Sequence, residues 1–288
     1  MNSSYTNQTE SVSTHKVIIF NINLIATGIL TIIGLFGNPY VIYNFTRKQF
    51  LKVSIFRYLI ASIIADTVNL LSNWPLVFPD VFLINELSLS CKIFNYFFNV
   101  PYQVSPWILG WDSIDLYLSI KGIKSRYRKK FKYQLLAILF IVVFISIANV
   151  PLILNYGVDA VEGCMIINAE LLIYLDIWNG LLSIIIPFII MCFSAFFIWL
   201  ELLKKREKLR EENKKNYETQ VKFFKILCIM DIYLLVCYLP YSIDVIVNDI
   251  LSINSFSTLS FYIVNCISNV FPACNVLIYF IFNKLFRK

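Results

Sequence analysis

A chain of 288 residues with 58% hydrophobic, 16% aromatic and only 15% charged residues falls outside the range of a water-soluble globular domain. A large buried core does not explain this composition, because apolar runs of roughly 20 residues or more recur along the whole length, each able to cross a ~30 Å hydrocarbon layer as a helix. The formal net charge of +7 does not point to nucleic acid, since no basic patch interleaved with exposed aromatics marks a soluble domain.

The first sixteen residues are polar. They hold two glycosylation sequons, at Asn2 and Asn7, and no signal-peptide pattern. Seven apolar runs follow, at about 17–45, 53–78, 91–119, 133–155, 172–200, 221–247 and 258–282, separated by short polar or charged stretches. None alternates with the two-residue period of a membrane barrel strand, and each satisfies its own backbone as a helix. The expected fold is an all-α membrane protein. It has an extracellular segment over 1–16, a seven-transmembrane-helix domain over 17–282 and a short cytoplasmic tail over 283–288.

Charge sets the orientation. With the N-terminus outside, the inner segments are Arg47 to Arg57, Lys121 to Lys132, Lys204 to Lys225 and Lys284 to Lys288. Among the 25 Lys and Arg, only Lys16 and Lys92 lie elsewhere. This is the asymmetry of the positive-inside rule, and an odd number of spans leaves the C-terminus in the cytoplasm. The charged stretch 201–225 alternates sign at helical spacing and reads as cytoplasmic extensions of the fifth and sixth helices. It is either a solvated face or a docking surface for an intracellular protein.

Of the seven cysteines, Cys192, Cys228, Cys237, Cys266 and Cys274 lie within apolar runs and read as small buried hydrophobes. Cys91 and Cys164 fall in outer loops or at outer helix ends, where a bridge persists, and joining them would restrain the loop over the bundle mouth. There is one histidine, His15, and no Cys-x-x-Cys, phosphate loop or Gly-rich nucleotide turn, so no enzymatic or metal constellation is expected.

Several stretches resemble the signatures of rhodopsin-like (class A) G-protein-coupled receptors, in order along all seven runs. "GNPYVIYN" at 37–44 resembles the first-helix Gly-Asn signature, with Asn38 as its key residue, and "LIASIIADTVNLL" at 59–71 resembles the second-helix pattern, with Asp66 in the sodium-site role. Pro75 and Pro187 match helix prolines. The separations from Asn38 to Asp66 and from Cys91 to Asp115 are those usual in the family. "CYLP" at 237–240 resembles Cys-Trp-x-Pro with Tyr238 for tryptophan before Pro240, and "NVLIY" at 275–279 resembles Asn-Pro-x-x-Tyr with Val276 for proline. Phe286 stands where a short amphipathic eighth helix usually has an aromatic.

"DLYLSI" at 115–120 resembles Asp-Arg-Tyr-Leu-x-Ile. The resemblance assigns Asp115, Leu116, Tyr117, Tyr238, Pro240, Asn275 and Tyr279 to G-protein coupling and switching. Leucine at 116 can neither pair with acids at rest nor receive the G protein's terminal helix as arginine does, and Gln220 stands where a sixth-helix acid is expected. Two readings follow: coupling survives through packing and other cytoplasmic contacts, or the chain is a non-coupling decoy or degenerate receptor. Asp112, one turn before the triad, is an extra acid that needs protonation or a polar partner at membrane depth, with Asp231, Asn275 and Tyr279 as candidates. Pro101 and Pro106 predict a distorted third helix. Without a proline at 276, the usual bend in the seventh helix cannot be assumed.

The same resemblance implies a polar cluster of Asp66, Asn38, Asn269 and Asn275 able to hold Na+ through hard oxygen ligands. Phe98 stands where amine receptors carry an aspartate, and Asn269 where the retinal lysine would be. Neither a small amine nor a Schiff base is therefore expected. On the outer side Glu10, Asp80, Glu86, Asp159, Glu162, Glu170 and Asp249, with Asp244 lower in the cavity, outnumber Lys16 and Lys92, which would steer a cationic ligand of peptide kind. Phe97, Phe98, Tyr102, Tyr238 and Tyr241 could line the cavity through stacking and cation–π contacts, or be core and lipid-facing aromatics. The expected partners are an extracellular peptide, a heterotrimeric G protein and the lipid membrane, with no nucleic acid. A transporter, the rival from another class, would show inverted halves or paired broken helices, and the sequence has no such repeat.

Overall fold

The computed structural model describes residues 3–51, 53–78, 81–84, 86–123, 131–159, 163–166, 169–207, 214–251 and 258–286. The helices are α1 (Ser3–Phe45), α2 (Lys48–Leu51), α3 (Ser54–Val77), α4 (Ser88–Ile120), α5 (Phe131–Ala148), α6 (Val150–Asn155), α7 (Ala169–Gly180), α8 (Ile186–Glu207), α9 (Lys214–Leu251), α10 (Thr258–Ala273) and α11 (Asn275–Phe286). A wide π-turn, Leu181–Ile185, joins α7 to α8. The chain is a seven-helix bundle: α1, α3, α4, α5 with α6, α7 with α8, α9, and α10 with α11 correspond to the seven apolar runs.

Among the described residues, five helices are long and apolar enough to cross a membrane by themselves: Asn21–Phe45, Ser54–Pro75, Phe131–Asn155, Ile177–Glu207 and Asn216–Asp244. The third and seventh runs miss that standard for different reasons. Helix α4 carries Asn95, Asn99, Gln103, Asp112 and Asp115 among its apolar residues. The seventh run is interrupted at Cys274.

Helix α4 is the centre of the bundle, packing against α3, α5, α8 and α9. That position explains its polarity, because side chains facing neighbouring helices can be paired away from lipid. Helix α1 packs on α3, α10 and α11. Its close approach to the seventh run is made at Gly34, where an added Cβ would lie 3.2 Å from the Ala273 Cα. Along its flanks the bundle exposes large apolar side chains, with Phe36, Ile64, Leu136, Phe140, Phe193 and Ile232 all at least half exposed, as a lipid-facing surface should.

Prolines act differently in different helices. Helix α4 continues through Pro101 and Pro106. Before Pro187 the chain widens into the π-turn, and the Trp107 Nε1 donates to the Leu182 carbonyl at 2.7 Å, supplying an outside partner where the regular ladder is disturbed. The break in the seventh run arises although residue 276 is valine. Pro272 has no N–H to donate, and its own carbonyl accepts from the Asn38 and Asn275 amides at 3.1 and 3.2 Å, competing with the helical bond expected there. The bend expected from position 276 is thus produced upstream. Helix α11 runs unbroken from Asn275 to Phe286, so the amphipathic eighth helix remains an expectation. The backbone of the expected N-terminal segment is helical from Ser3, while Asn2 lies outside the described residues and the Asn7 side chain is not described.

At the end of the bundle where α4 begins, β1 (Tyr156–Asp159) and β2 (Gly163–Ile166) form an antiparallel hairpin with Gly157 opposite Met165 and Val158 opposite Cys164. A disulfide between Cys91 and Cys164 ties it to the start of α4 across a sequence separation of 73 residues.

Candidate functional site

Three connected regions run down the bundle. The deepest polar one joins α1, α3 and the α10–α11 break. The Asn275 Nδ2 donates to Asp66 Oδ2 at 2.9 Å and to Asn38 Oδ1 at 3.3 Å, while the Asn38 Nδ2 donates to Thr67 Oγ1 at 3.0 Å. Asp66, Asn38 and Asn275 are all at most 2% exposed. Asp66 Oδ1 has no hydrogen-bond partner among the described residues, although Ser105, whose hydroxyl meets Ser62 at 2.7 Å, stands beside the carboxylate. A carboxylate oxygen left open in such a setting, close to hydroxyl and amide oxygens, fits a small hard cation or water. Asn269 does not join this group. Its Oδ1 accepts from Asn73 Nδ2 at 2.6 Å and its Nδ2 donates to the Asn265 carbonyl at 3.0 Å, forming a separate link between α3 and α10.

Above the cluster is a column of rings. Phe98 stacks on Tyr102 at 6.1 Å, Tyr102 on Tyr238 at 4.5 Å, and Tyr238 meets the edge of Phe271 at 5.4 Å, with Tyr241 against Tyr102 at 6.0 Å. Phe98 and Tyr241 are half-buried. Tyr102 and Tyr238 are buried, and their hydroxyls have no partners among the described residues. The aromatics expected to line a ligand cavity therefore divide by depth: Phe98 and Tyr241 are half-buried, whereas Tyr102 and Tyr238 are buried beneath them. Asp244 is buried. Phe97 is 55% exposed and lies on the outside of α4. Of the expected outer acids, Glu86 and Asp159 are exposed; Asp80 and Glu162 lie outside the described residues, and the side chains of Glu10, Glu170 and Asp249 are not described.

The inner end differs from the sequence expectation in detail. Leu116 packs between two apolar groups. One includes Leu109, Met191 and Phe223; the other includes Ile120, Ile198 and Leu202, with Tyr217 and Val221 against it. Lys205 of α8 donates to the Ile120 carbonyl at the end of α4 and to Gln220 Oε1 of α9 at 3.2 Å. An ammonium and an amide thus join α4, α8 and α9 where the family resemblance led to an arginine and an acid. Tyr117 packs on Phe197 at 5.7 Å with Lys121 over its ring at 5.5 Å. Asp112 is buried beside Asp115 and Asp231. Asn275, one of its expected partners, is engaged by Asp66 instead. Pro240 is half-buried within α9, and the Tyr279 side chain is not described.

Several participants escaped sequence reasoning. Below the disulfide an amide chain links α4, the fourth run and α7: Asn95 donates to the Cys91 carbonyl, Asn99 to the Asn95 carbonyl, Asn179 to Asn99 Oδ1 at 3.2 Å, and Gln103 to Asn179 Oδ1 at 2.6 Å and to Asn149 Oδ1 at 3.2 Å. Asn149 returns a bond to Gln103 Oε1 at 2.8 Å. The signal was present in the one-turn spacing of Asn95, Asn99 and Gln103, a polar stripe on one face of an apolar helix. Ser105 and Lys205 carried no comparable signal, since a lone serine in a membrane run and one lysine in a basic segment look like many others.

The seven-helix bundle agrees with the comparison to known families: the model of the seven-transmembrane receptor (rhodopsin family) matches residues 37–279. The chain belongs to the rhodopsin family of seven-transmembrane receptors. As a member of that family it is a multi-pass membrane protein. Among its relatives, the human type-1 angiotensin II receptor is 25% identical over 227 residues and the mouse type-1 angiotensin II receptor B is 24% identical over 237 residues. Each alignment covers 75% of this chain and 62% of the relative's length.

Proposed function

We propose that the chain is a plasma-membrane receptor, with its N-terminus outside and its C-terminus in the cytoplasm, that takes up a cationic peptide at its outer mouth and signals to a heterotrimeric G protein. The observation that carries this reading is the unbroken ring column from half-buried Phe98 and Tyr241 through Tyr102 and Tyr238 to Phe271. Phe271 is one turn before Asn275 on the seventh run, so pressure on the outer rings is transmitted to the Asp66 knot. Packed rings transmit displacement because they have few alternative arrangements.

The exposed acids Glu86 and Asp159 support a cationic ligand by steering it toward the mouth, and two relatives are named for angiotensin II. Sugars on Asn2 and Asn7 would belong to the same outer side. Na+ would be held by Asp66 with Asn38, Asn275 and Ser105, favouring the closed arrangement of the knot. At the inner end, activation separates the apolar packing around Leu116 and releases Lys205 from Ile120 and Gln220. The G protein then meets the extensions of α8 and α9, with Asp115 and Tyr117 beside it. Leucine at 116 changes the nature of the latch without removing it.

The test is G-protein dissociation in cells expressing the chain, measured against a panel of basic neuropeptides, with and without Leu116→Arg. A basal or peptide-driven response in the parent is expected. Silence in the parent with a response in Leu116→Arg would overturn native coupling and make the chain a decoy.

A further inference from the structure

The π-turn that joins α7 to α8 is fastened from outside by two neighbouring helices. Asn179, two residues before it, accepts at Oδ1 from the Gln103 Nε2 of α4 at 2.6 Å. One turn further along α4, the Trp107 Nε1 donates to the Leu182 carbonyl within the turn at 2.7 Å. From the fourth run, the Ala148 carbonyl accepts from the Trp178 Nε1 at 3.1 Å, and Asn149 exchanges hydrogen bonds with Gln103. Residues 178–182 are thus clamped at both ends.

A π-turn holds one residue more than the α-helix would at that point, so the same sequence has a second arrangement in which the extra residue is passed on and the following helix changes register. Both arrangements keep their backbone bonds internal, as hydrocarbon requires. Side chains that fit only one of them then decide which is populated. A shift of one residue turns a helical side chain by roughly 100°, so Gln103 and Trp107 cannot serve Asn179 and Leu182 in both registers.

The clamp is tied to the hairpin. Asn179 Nδ2 donates to Asn99 Oδ1 at 3.2 Å, Asn99 Nδ2 to the Asn95 carbonyl at 2.9 Å, and Asn95 Nδ2 to the disulfide sulfur of Cys164 at 3.1 Å. At the other end, α8 runs unbroken from Ile186 to Glu207 and carries Lys205 onto Ile120 and Gln220. One polar chain therefore starts at the hairpin and ends on the turn whose register places Lys205.

We propose that Gln103, with Trp107, is the positioning residue of a register switch in the fifth run. Displacement of the hairpin draws Asn99 away from Asn179, the clamp opens, the π-turn passes on its extra residue, and α8 turns and takes Lys205 off Ile120 and Gln220. The trigger rests on the receptor reading above, whereas the switch itself is measured without ligand or G protein.

The test uses the full chain in phosphatidylcholine nanodiscs, with spin labels introduced as unnatural amino acids at Ile123 and Lys204, beyond the end of α4 and near that of α8. The parent is expected to show one distance. Gln103→Leu, or the milder Trp107→Phe that keeps a ring on Phe144, should add a second, discrete distance. Amide exchange over 181–186 should rise about tenfold, the loss of roughly one buried hydrogen bond. Deleting Leu181, which removes the extra residue, should give the second distance alone. Reduction of the disulfide should raise the second population in the parent and add nothing in Gln103→Leu. A lower Tm in both variants with only the parent distance would make these side chains merely structural and overturn the proposal, as would a Leu181 deletion that keeps the parent distance. A response to reduction that is equal in the parent and in Gln103→Leu would overturn the link to the hairpin.

Discussion

The Asp66 knot and the inner latch solve the same problem with opposite chemistry. At Asp66 the bundle holds a buried carboxylate in a set of amides and hydroxyls drawn from four segments, in which Asn38 and Asn275 each have several partners. At Leu116 an ionic contact has been replaced by apolar packing, with a single lysine spanning three helix ends. A buried charge constrains its neighbours because every unpaired polar group in hydrocarbon is costly. A helix end near water is less constrained, and any contact of similar strength can close it.

That contrast sets the size of the expected effects. Gly34→Leu drives a side chain into the Ala273 backbone and should abolish surface expression, read by antibody labelling of a tagged chain. Asn275→Leu strips the partners from Asp66 and should lower stability by about 2–3 kcal/mol, seen as a drop in Tm in detergent together with loss of any Na+ dependence. If Asn275→Leu is silent, the knot does not control the bundle and the comparison fails. Cys164→Ser frees the outer hairpin and should cost about 2–4 kcal/mol, with loss of peptide binding before loss of fold. Lys205→Ala should cost only about 1 kcal/mol, since the lysine is partly in water. It should nevertheless lengthen the spin-label distance between the inner ends of α4 and α9. A larger stability loss than that of Asn275→Leu would reverse the ranking of the two regions.

Much of the bundle could be read from residue order. The seven runs, the basic segments between them and the placing of Cys91 and Cys164 at helix ends or loops follow from local composition, while the grouping of Asn38, Asp66 and Asn275 was implied by the family resemblance. Asn269 was expected in the same cluster, but it lies on α10, six residues before Asn275 and on the other side of the break at Cys274, and it accepts from Asn73 instead. The ring column was anticipated only as a set of cavity aromatics. How the rings stack depends on their depth in the bundle. Tyr102 and Tyr238 pack face to face at 4.5 Å below the half-buried Phe98.

Hydrophobic length and charge asymmetry act on each segment separately, so they determined that the chain crosses the membrane seven times and which ends are basic. Pairing acts between segments, so only the assembled bundle decided that Pro272 rather than residue 276 breaks the last span, that Lys205 joins Gln220 and the end of α4, and that Asn269 pairs with Asn73. The physical reason is that a buried polar group is defined by what faces it across a helix interface, and no residue carries that information in its own position along the chain.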